Sequence, residues 1–328
     1  MTMFPGKVIA PRCGMYTQCM CVLFDRAPTI DATAARLDRF TIVGERAAAG
    51  GRDGWTLAGP AVVVAYRPEV NGHVLVDVVD RPWPDGMGAP NGPEETLFSS
   101  WAMGAFGPST FPGNLERAMQ QAHTWPEARV IAPRHRAFVR VRTTYAIGAR
   151  PETKVWPDDR DPLDELRFVT DVVRAVLGAP RALCAFNPSG ETLVSAERLE
   201  RLWERDRRGE AIPIDAWVNV RLFRPGRLGR EEWFLFDTVG LDQLGVRDHE
   251  GAVPESSSSF DHVPGVLWSF GSYDLAKRGA MRVGDTADDF AGAKWRAHAE
   301  GDALVQPPRP VLRWAPAALD VPAPLRGR

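Results

Sequence analysis

Little in this sequence points to chemistry. The chain has four cysteines, Cys13, Cys19, Cys21 and Cys184, with no CxxC pair and no histidine-rich companion, which argues against a zinc site. Cys19 and Cys21 lie two apart in a strand expected over 15–25. They therefore share one face and do not readily bridge each other, and buried thiols in a reducing cytosol are expected. No stretch approaches the roughly 20 apolar residues of a spanning helix, and the N-terminus lacks the unbroken apolar run of a secretory leader. A cytoplasmic protein with no membrane association is the expectation. The net charge of −2 supplies no strong field toward acidic lipid or nucleic acid, so no nucleic-acid partner is expected. Also missing are the phosphate loop G-x-x-x-x-G-K-[ST], a G-x-G-x-x-G after a strand, H-E-x-x-H, and a G-x-S-x-G elbow. Pro188-Ser189-Gly190 lacks the flanking glycine of an elbow and is read as a turn. No cofactor is implied.

What is present is an ordinary globular composition, 44% hydrophobic and 25% charged, over 328 residues. That length suits two domains or two closely packed halves. Residues 1–14 are set apart as an extension ahead of the first patterned segment. Cys21-Val-Leu-Phe24 is a buried strand, and Asp31 is expected to cap a short helix. Ala61-Val-Val-Val-Ala-Tyr66 and Val74-Leu-Val-Asp-Val-Val79 flank Asn71-Gly72, a tight-hairpin signature. A Pro/Gly-dense loop over 81–93 carries Trp83, and a helix begins at Asn114.

From residue 134 a second half is expected. Ala137-Phe-Val-Arg-Val-Arg-Thr-Thr-Tyr145 alternates, with Arg140 and Arg142 on the face opposite Val139 and Val141. Asp161-Pro162 starts a helix whose stripe is Leu166, Val169, Val173, Val176 and Leu177. Strands over 182–186, 216–223 and 233–239 follow, the last two joined through Pro225-Gly226. Ser195 caps a helix, and another lies over 266–277. Residues 305–328 are proline-rich and read as an extended tail. The mixture of hairpins and helices predicts an α+β fold with mixed or antiparallel sheets. The order of elements allows two ferredoxin-like halves in tandem, over 15–133 and 134–304.

Within the second half, Ile214-Asp-Ala-Trp-Val-Asn-Val-Arg-Leu222, Phe236-Asp-Thr-Val-Gly-Leu-Asp-Gln-Leu-Gly245, Val246-Arg-Asp-His-Glu250 and the Gly284-Asp-Thr286 turn occur in series. This series resembles the bacterial domain-of-unknown-function (DUF) 4261 family, with a W-V-N-V-R strand, a T-x-G-L-x-x-x-G segment and an acidic stretch. The DUF4261-like region spans about 212–290. Trp125-Pro-Glu-Ala and His135-Arg-Ala-Phe-Val-Arg-Val resemble what precedes it in longer members, so the likeness extends over about the latter two thirds of the chain. The family brings no established activity. It implies stand-alone bacterial proteins, some linked to toxin–immunity or secretion loci, and hence a toxin or secretion component as partner.

Two sets of site residues follow. Asp237, Asp248, His249 and Glu250, with Asp242 nearby, are candidates for acid–base work or for a divalent ion; the alternative is acids solvated at strand ends between turn glycines. His135, at a strand start, is either a base or a histidine satisfying a backbone carbonyl. Asp285, Asp288 and Asp289 are explained as well by a turn and a helix cap. The compositional excess is tryptophan, eleven in all. Trp83, Trp101 and Trp156, in or near Pro/Gly-rich loops, are candidate partner anchors or covers for the core. A non-enzymatic interaction protein is preferred on these grounds, with a metal-dependent hydrolase built on residues 237–250 as the alternative.

Overall fold

The computed structural model describes residues 15–49, 54–92, 94–148, 156–290 and 292–327; the extension over 1–14, with Cys13, lies outside them. The chain divides into two compact units, residues 1–216 and 217–328.

The first unit is built on one antiparallel sheet. Its strands are β1 (Gln18–Phe24), β2 (Ile42–Arg46), β3 (Ala61–Arg67), β4 (Gly72–Val79), β5 (Ala137–Thr144), β6 (Ala182–Asn187) and β7 (Thr192–Val194), in the order β2-β3-β4-β5-β1-β6-β7. The helices are α1 (Ile30–Ala34), α2 (Glu95–Ala102), α3 (Asn114–Gln120), α4 (Ala128–Ile131), α5 (Pro162–Leu177) and α6 (Ala196–Arg207). Asp161 caps α5 by accepting from the Leu163 and Asp164 amides, and the expected stripe of α5 is buried against β1, β5 and β6. The other face of the sheet carries Cys19, Cys21, Leu23, Phe138 and Phe186 under Trp83, Trp101 and Phe106. The β3–β4 turn differs in detail from the expected one. Asn71 takes the left-handed conformation (φ 61°) and its side-chain amide donates to the Tyr145 and Ile147 carbonyls, while Gly72 already opens β4.

The second unit has a mixed sheet. Its strands are β8 (Asn219–Leu228), β9 (Glu231–Val239), β10 (Asp248–Pro254), β11 (Thr286–Asp288), β12 (Lys294–Asp302) and β13 (Pro310–Pro316), ordered β11-β12-β13-β10-β9-β8. Only β10 and β13 pair in parallel. Helix α7 (Val263–Ala276) packs on β8, β9 and β10, and α8 (Ala323–Arg326) ends the unit.

The α+β class is as expected; several finer expectations are corrected. The units divide at 216/217 and not near 134, because β5 inserts between β4 and β1 and belongs to the first sheet. One seven-stranded and one six-stranded sheet of different order replace the two ferredoxin-like halves. Residues 305–328 are not an extended tail: Val311, Leu312 and Trp314 are buried in β13, which sits inside the sheet between β12 and β10. Pro225-Gly226 lies at a register irregularity within β8, and the chain reverses after Leu228, where Gly229 has φ 71°.

Candidate functional site

The acidic segment of the second unit is gathered inside the sheet. Cross-strand register places Arg221 (β8) opposite Asp237 (β9), Asp237 opposite Glu250 (β10), and Glu250 beside Arg313 (β13). Two carboxylates directly opposite each other repel. Here an arginine closes each end of the row. Arg221 binds Asp237 through Nε at 3.0 Å and Nη2 at 2.6 Å, and Arg313 Nε reaches Glu250 at 2.9 Å. Arg309, just ahead of β13, donates to Asp237 and to the Thr238 carbonyl and lies 3.2 Å from Asp248. Asp248 also accepts from Thr238 Oγ1 at 2.8 Å and from the Leu241 amide at 3.1 Å.

All these side chains are buried. Burial pushes Asp248 up to about 6 against the pull of Arg309, and it raises Glu250 with a further push from Asp237. Three acids thus face three guanidiniums away from solvent. The expectation of acids solvated at strand ends is corrected, and so is their availability: the oxygens that would bind a cation already accept charge-assisted bonds.

His249 points to the opposite face, because neighbouring strand residues alternate. It joins the core of Phe270, Trp295 and Trp314 beneath α7. Trp314 Nε1 donates to its Nδ1 at 3.1 Å. An indole N–H only donates, so Nδ1 holds the lone pair and the neutral ring carries its proton on Nε2. A protonated nitrogen does not ligate a metal. Burial, reinforced by Arg247, drives the imidazole pKa down to about 3 and keeps it neutral. Among the described residues no three His, Cys, Asp or Glu side chains are grouped so as to hold a metal ion.

His135 is likewise committed to the backbone. Its Nε2 accepts the Trp83 amide at 3.0 Å and its Nδ1 lies 2.7 Å from the Ala132 carbonyl, so the proton sits on Nδ1. Burial lowers its pKa. Two of the loop tryptophans are core. Trp83 is 5% exposed, packs edge-on to Phe106, Phe138 and Phe186, and donates from Nε1 to Asn114 Oδ1. Trp101 is 3% exposed and donates to the Gly86 carbonyl. They are withdrawn as partner anchors, and Trp156 is half-buried. Asp289 is buried too, accepting from Ser259 and from Trp295 Nε1.

A hollow of about 340 Å³ in the first unit is bordered by Trp55, Thr96, Ser99, Ser100 and Met103, and Glu95 is the single ionisable group among its described lining residues. Serine and threonine hydroxyls border it beside that one carboxylate, but no imidazole or second charged group is among the described lining residues to complete a nucleophile, base and orienting group.

The surface that sequence reasoning missed is the outside of α7. This helix, Val-Pro-Gly-Val-Leu-Trp-Ser-Phe-Gly-Ser-Tyr-Asp-Leu-Ala, has Asp274 as its only carboxylate or base, and Asp274 is buried along with Val263, Val266, Leu267 and Phe270. The outer stripe is Gly265, Trp268, Ser269, Ser272 and Tyr273, with Tyr273 52% exposed. Phe290 lies against it, 72% exposed, where a Cβ on Gly265 would come within 2.9 Å of its ring. A surface helix normally carries charge on its solvent side; this one carries none there. The signal was legible as fourteen residues without Lys, Arg or Glu, but a buried helix reads the same way.

No helix among the described residues is long and apolar enough to cross a membrane. No curated protein and no solved structure matches the chain. A family model does match, over a stretch displaced from the 212–290 expected; it leaves out the Ile214-to-Leu222 strand and the region of Trp125 and His135. It runs from Asp237 in β9 to Ala315 in β13, taking in the three arginine-paired carboxylates, His249, α7, Arg309 and Arg313: residues 237–315 match the family described as Domain of unknown function (DUF4261).

Proposed function

We propose that this chain is a non-catalytic interaction protein, adaptor- or immunity-like, which binds a protein partner through the outer face of α7 and Phe290. The observation that carries this reading is the uncharged stripe of α7 with two large exposed aromatic rings, Tyr273 and Phe290. Exposed aromatics without charge at the centre of a patch are the composition of binding hot spots. The fate of the chemistry-bearing groups points the same way: the carboxylates of Asp237, Asp248 and Glu250 are neutralised by arginines out of reach of solvent. A metal-dependent hydrolase on residues 237–250 gains no support from this geometry, since His249 leaves the carboxylates for the other face and presents a protonated nitrogen. The partner class we favour, a toxin or secretion component, rests on the DUF4261 likeness, and the near-neutral chain charge gives no reason to favour nucleic acid.

The test is co-expression with the protein products of the adjacent genes, followed by measurement of affinity. Phe290→Asp and Tyr273→Glu are each expected to weaken the complex by about tenfold or more, because truncating or charging a hot-spot aromatic has effects of that order. Chelator is expected to leave the complex intact. Absence of any complex, or one indifferent to both substitutions, overturns the proposal.

A further inference from the structure

Beneath α7 one pair of polar groups is not answered by the protein. His249 Nε2 and Asp274 Oδ2 are both fully buried and both lack a hydrogen-bond partner, and they stand 4.0 Å apart. That separation is too long for a direct hydrogen bond. Each group is otherwise fixed. Trp314 Nε1 holds the far side of the imidazole, and Asp274 Oδ1 accepts the Met281 amide at 2.9 Å. Neither ring nor carboxylate can turn to another partner without giving up the bond it has, and orphaned polar atoms in an apolar core are costly.

We propose that the space between His249 and Asp274 binds a single structural water, which accepts the Nε2 proton and donates to Oδ2. The tautomer selects the ligand. The occupant must accept on one side and donate on the other. A metal cation has no place at a protonated nitrogen, an ammonium has no lone pair to offer Nε2–H, and a halide has no proton for Oδ2. Two hydrogen bonds of about 2.8 Å span the 4.0 Å gap with an angle near 90° at the oxygen, within the range buried waters adopt.

The water completes a polar chain through the core, from Trp314 on β13 through His249 on β10 to Asp274 on α7 and the Met281 amide. It fixes the rotation of α7 on the sheet. This consequence bears on the contact surface only if α7 is that surface; the water site itself does not depend on it.

The test uses the full chain without any partner, so its outcome is separate from that of the binding experiment. With 15N-labelled histidine, the chain's six imidazoles are resolved by long-range proton–nitrogen correlation, and His249 is assigned by the signal lost in His249→Gln. The expected result is an Nε2–H tautomer whose proton exchanges at least about a hundredfold more slowly than that of an exposed imidazole and shows a direct cross-relaxation peak to a long-lived water. A crystal structure is expected to place a solvent oxygen about 3 Å from both atoms. In Asp274→Leu the water peak is expected to vanish while the tautomer stays. An Nδ1–H tautomer, or a direct His249–Asp274 hydrogen bond without a water peak, overturns the proposal. The wild-type spectrum decides even where the variant does not fold.

Discussion

Both units bury arginines in mid-sheet, and they balance them differently. In the first, Asp77 is the single carboxylate between Arg140 and Arg142, bound by Arg140 at 2.7 Å and by Arg142 at 3.1 Å. Backbone carbonyls take up further guanidinium protons, Trp55 O from Arg140 and Ala105 O from both arginines, while Arg142 Nε is left without an acceptor among the described residues. In the second, three carboxylates and three guanidiniums are matched. Burial pushes the Asp77 carboxyl up, but the two arginines outweigh it and hold it below the ordinary range. Asp248 has one arginine at 3.2 Å and stays high. The ratio of bases to acids, more than depth of burial, sets how a buried carboxylate titrates.

The comparison is broken most directly by removing its central acids. Asp77→Ala leaves two buried guanidiniums without their carboxylate and is expected to cost about 3–5 kcal/mol in the first unit. Asp237→Ala is expected to cost less in the second, because Arg309 keeps Asp248, whereas in the first unit both arginines lose Asp77. Hydrogen exchange followed separately in β5 and β9 measures the two losses. A cost for Asp237→Ala equal to or above that for Asp77→Ala would refute the ordering.

Acid sharpens the contrast. Asp77, with its pKa depressed in the fold, stabilises the first unit above the ordinary carboxylate range and gives this up only as pH falls below it. In the second unit two groups oppose each other. Asp248, raised to about 6, favours the fold at low pH and loses that stabilisation as pH rises through 6, and Glu250 acts in the same sense. His249, lowered to about 3, favours the fold at neutral pH and loses that stabilisation as pH falls below its ordinary 6.5. Between about pH 6 and 4 the slope of the histidine is opposed by those of both acids, and at lower pH the histidine acts alone and stability drops. His249→Gln removes the opposing slope while keeping a side chain able to accept from Trp314. Its second unit is expected to gain stability as pH is lowered from 6 to 4. Urea midpoints across this range measure it, and a falling midpoint would contradict the assignment.

These two clusters also mark the limit of what the sequence makes legible. The stripe of α5, its Asp161 cap and the alternation of β5 follow from local pattern, and all are where they were expected. Local pattern does not say which residue lies opposite. Arg140 and Arg142 read only as the face of an alternating strand opposite Val139 and Val141 until β4 and β1 close on either side and bring in Asp77. Asp237 and Glu250 look like strand-end acids until their register, 13 residues apart in sequence, puts them side by side between arginines. Trp83 and Trp101 are placed in or near loops by the surrounding prolines and glycines, yet Trp101 lies in α2 and both rings join the core on the sheet. In each instance the missing information is a long-range pairing, which composition and periodicity do not carry.

The smallest expected effect on stability bears on the contact surface. Gly265 lies in the first turns of α7, and a methyl group there meets the Phe290 ring at 2.9 Å, with three atoms of that ring as its nearest neighbours outside the helix. The obstacle is the ring of an exposed side chain, so Gly265→Ala is accommodated by moving Phe290 outward. Alanine also improves helix propensity by up to about 1 kcal/mol over glycine. The substitution is therefore expected to leave stability level or slightly raised while displacing one of the two aromatic anchors. If Phe290 works in the position Gly265 gives it, partner affinity falls severalfold in a protein that is no less stable. A fall in affinity that tracks a fall in stability would instead make Gly265 a packing residue, and an unchanged affinity would remove Phe290 from the contact and leave Tyr273 to carry it.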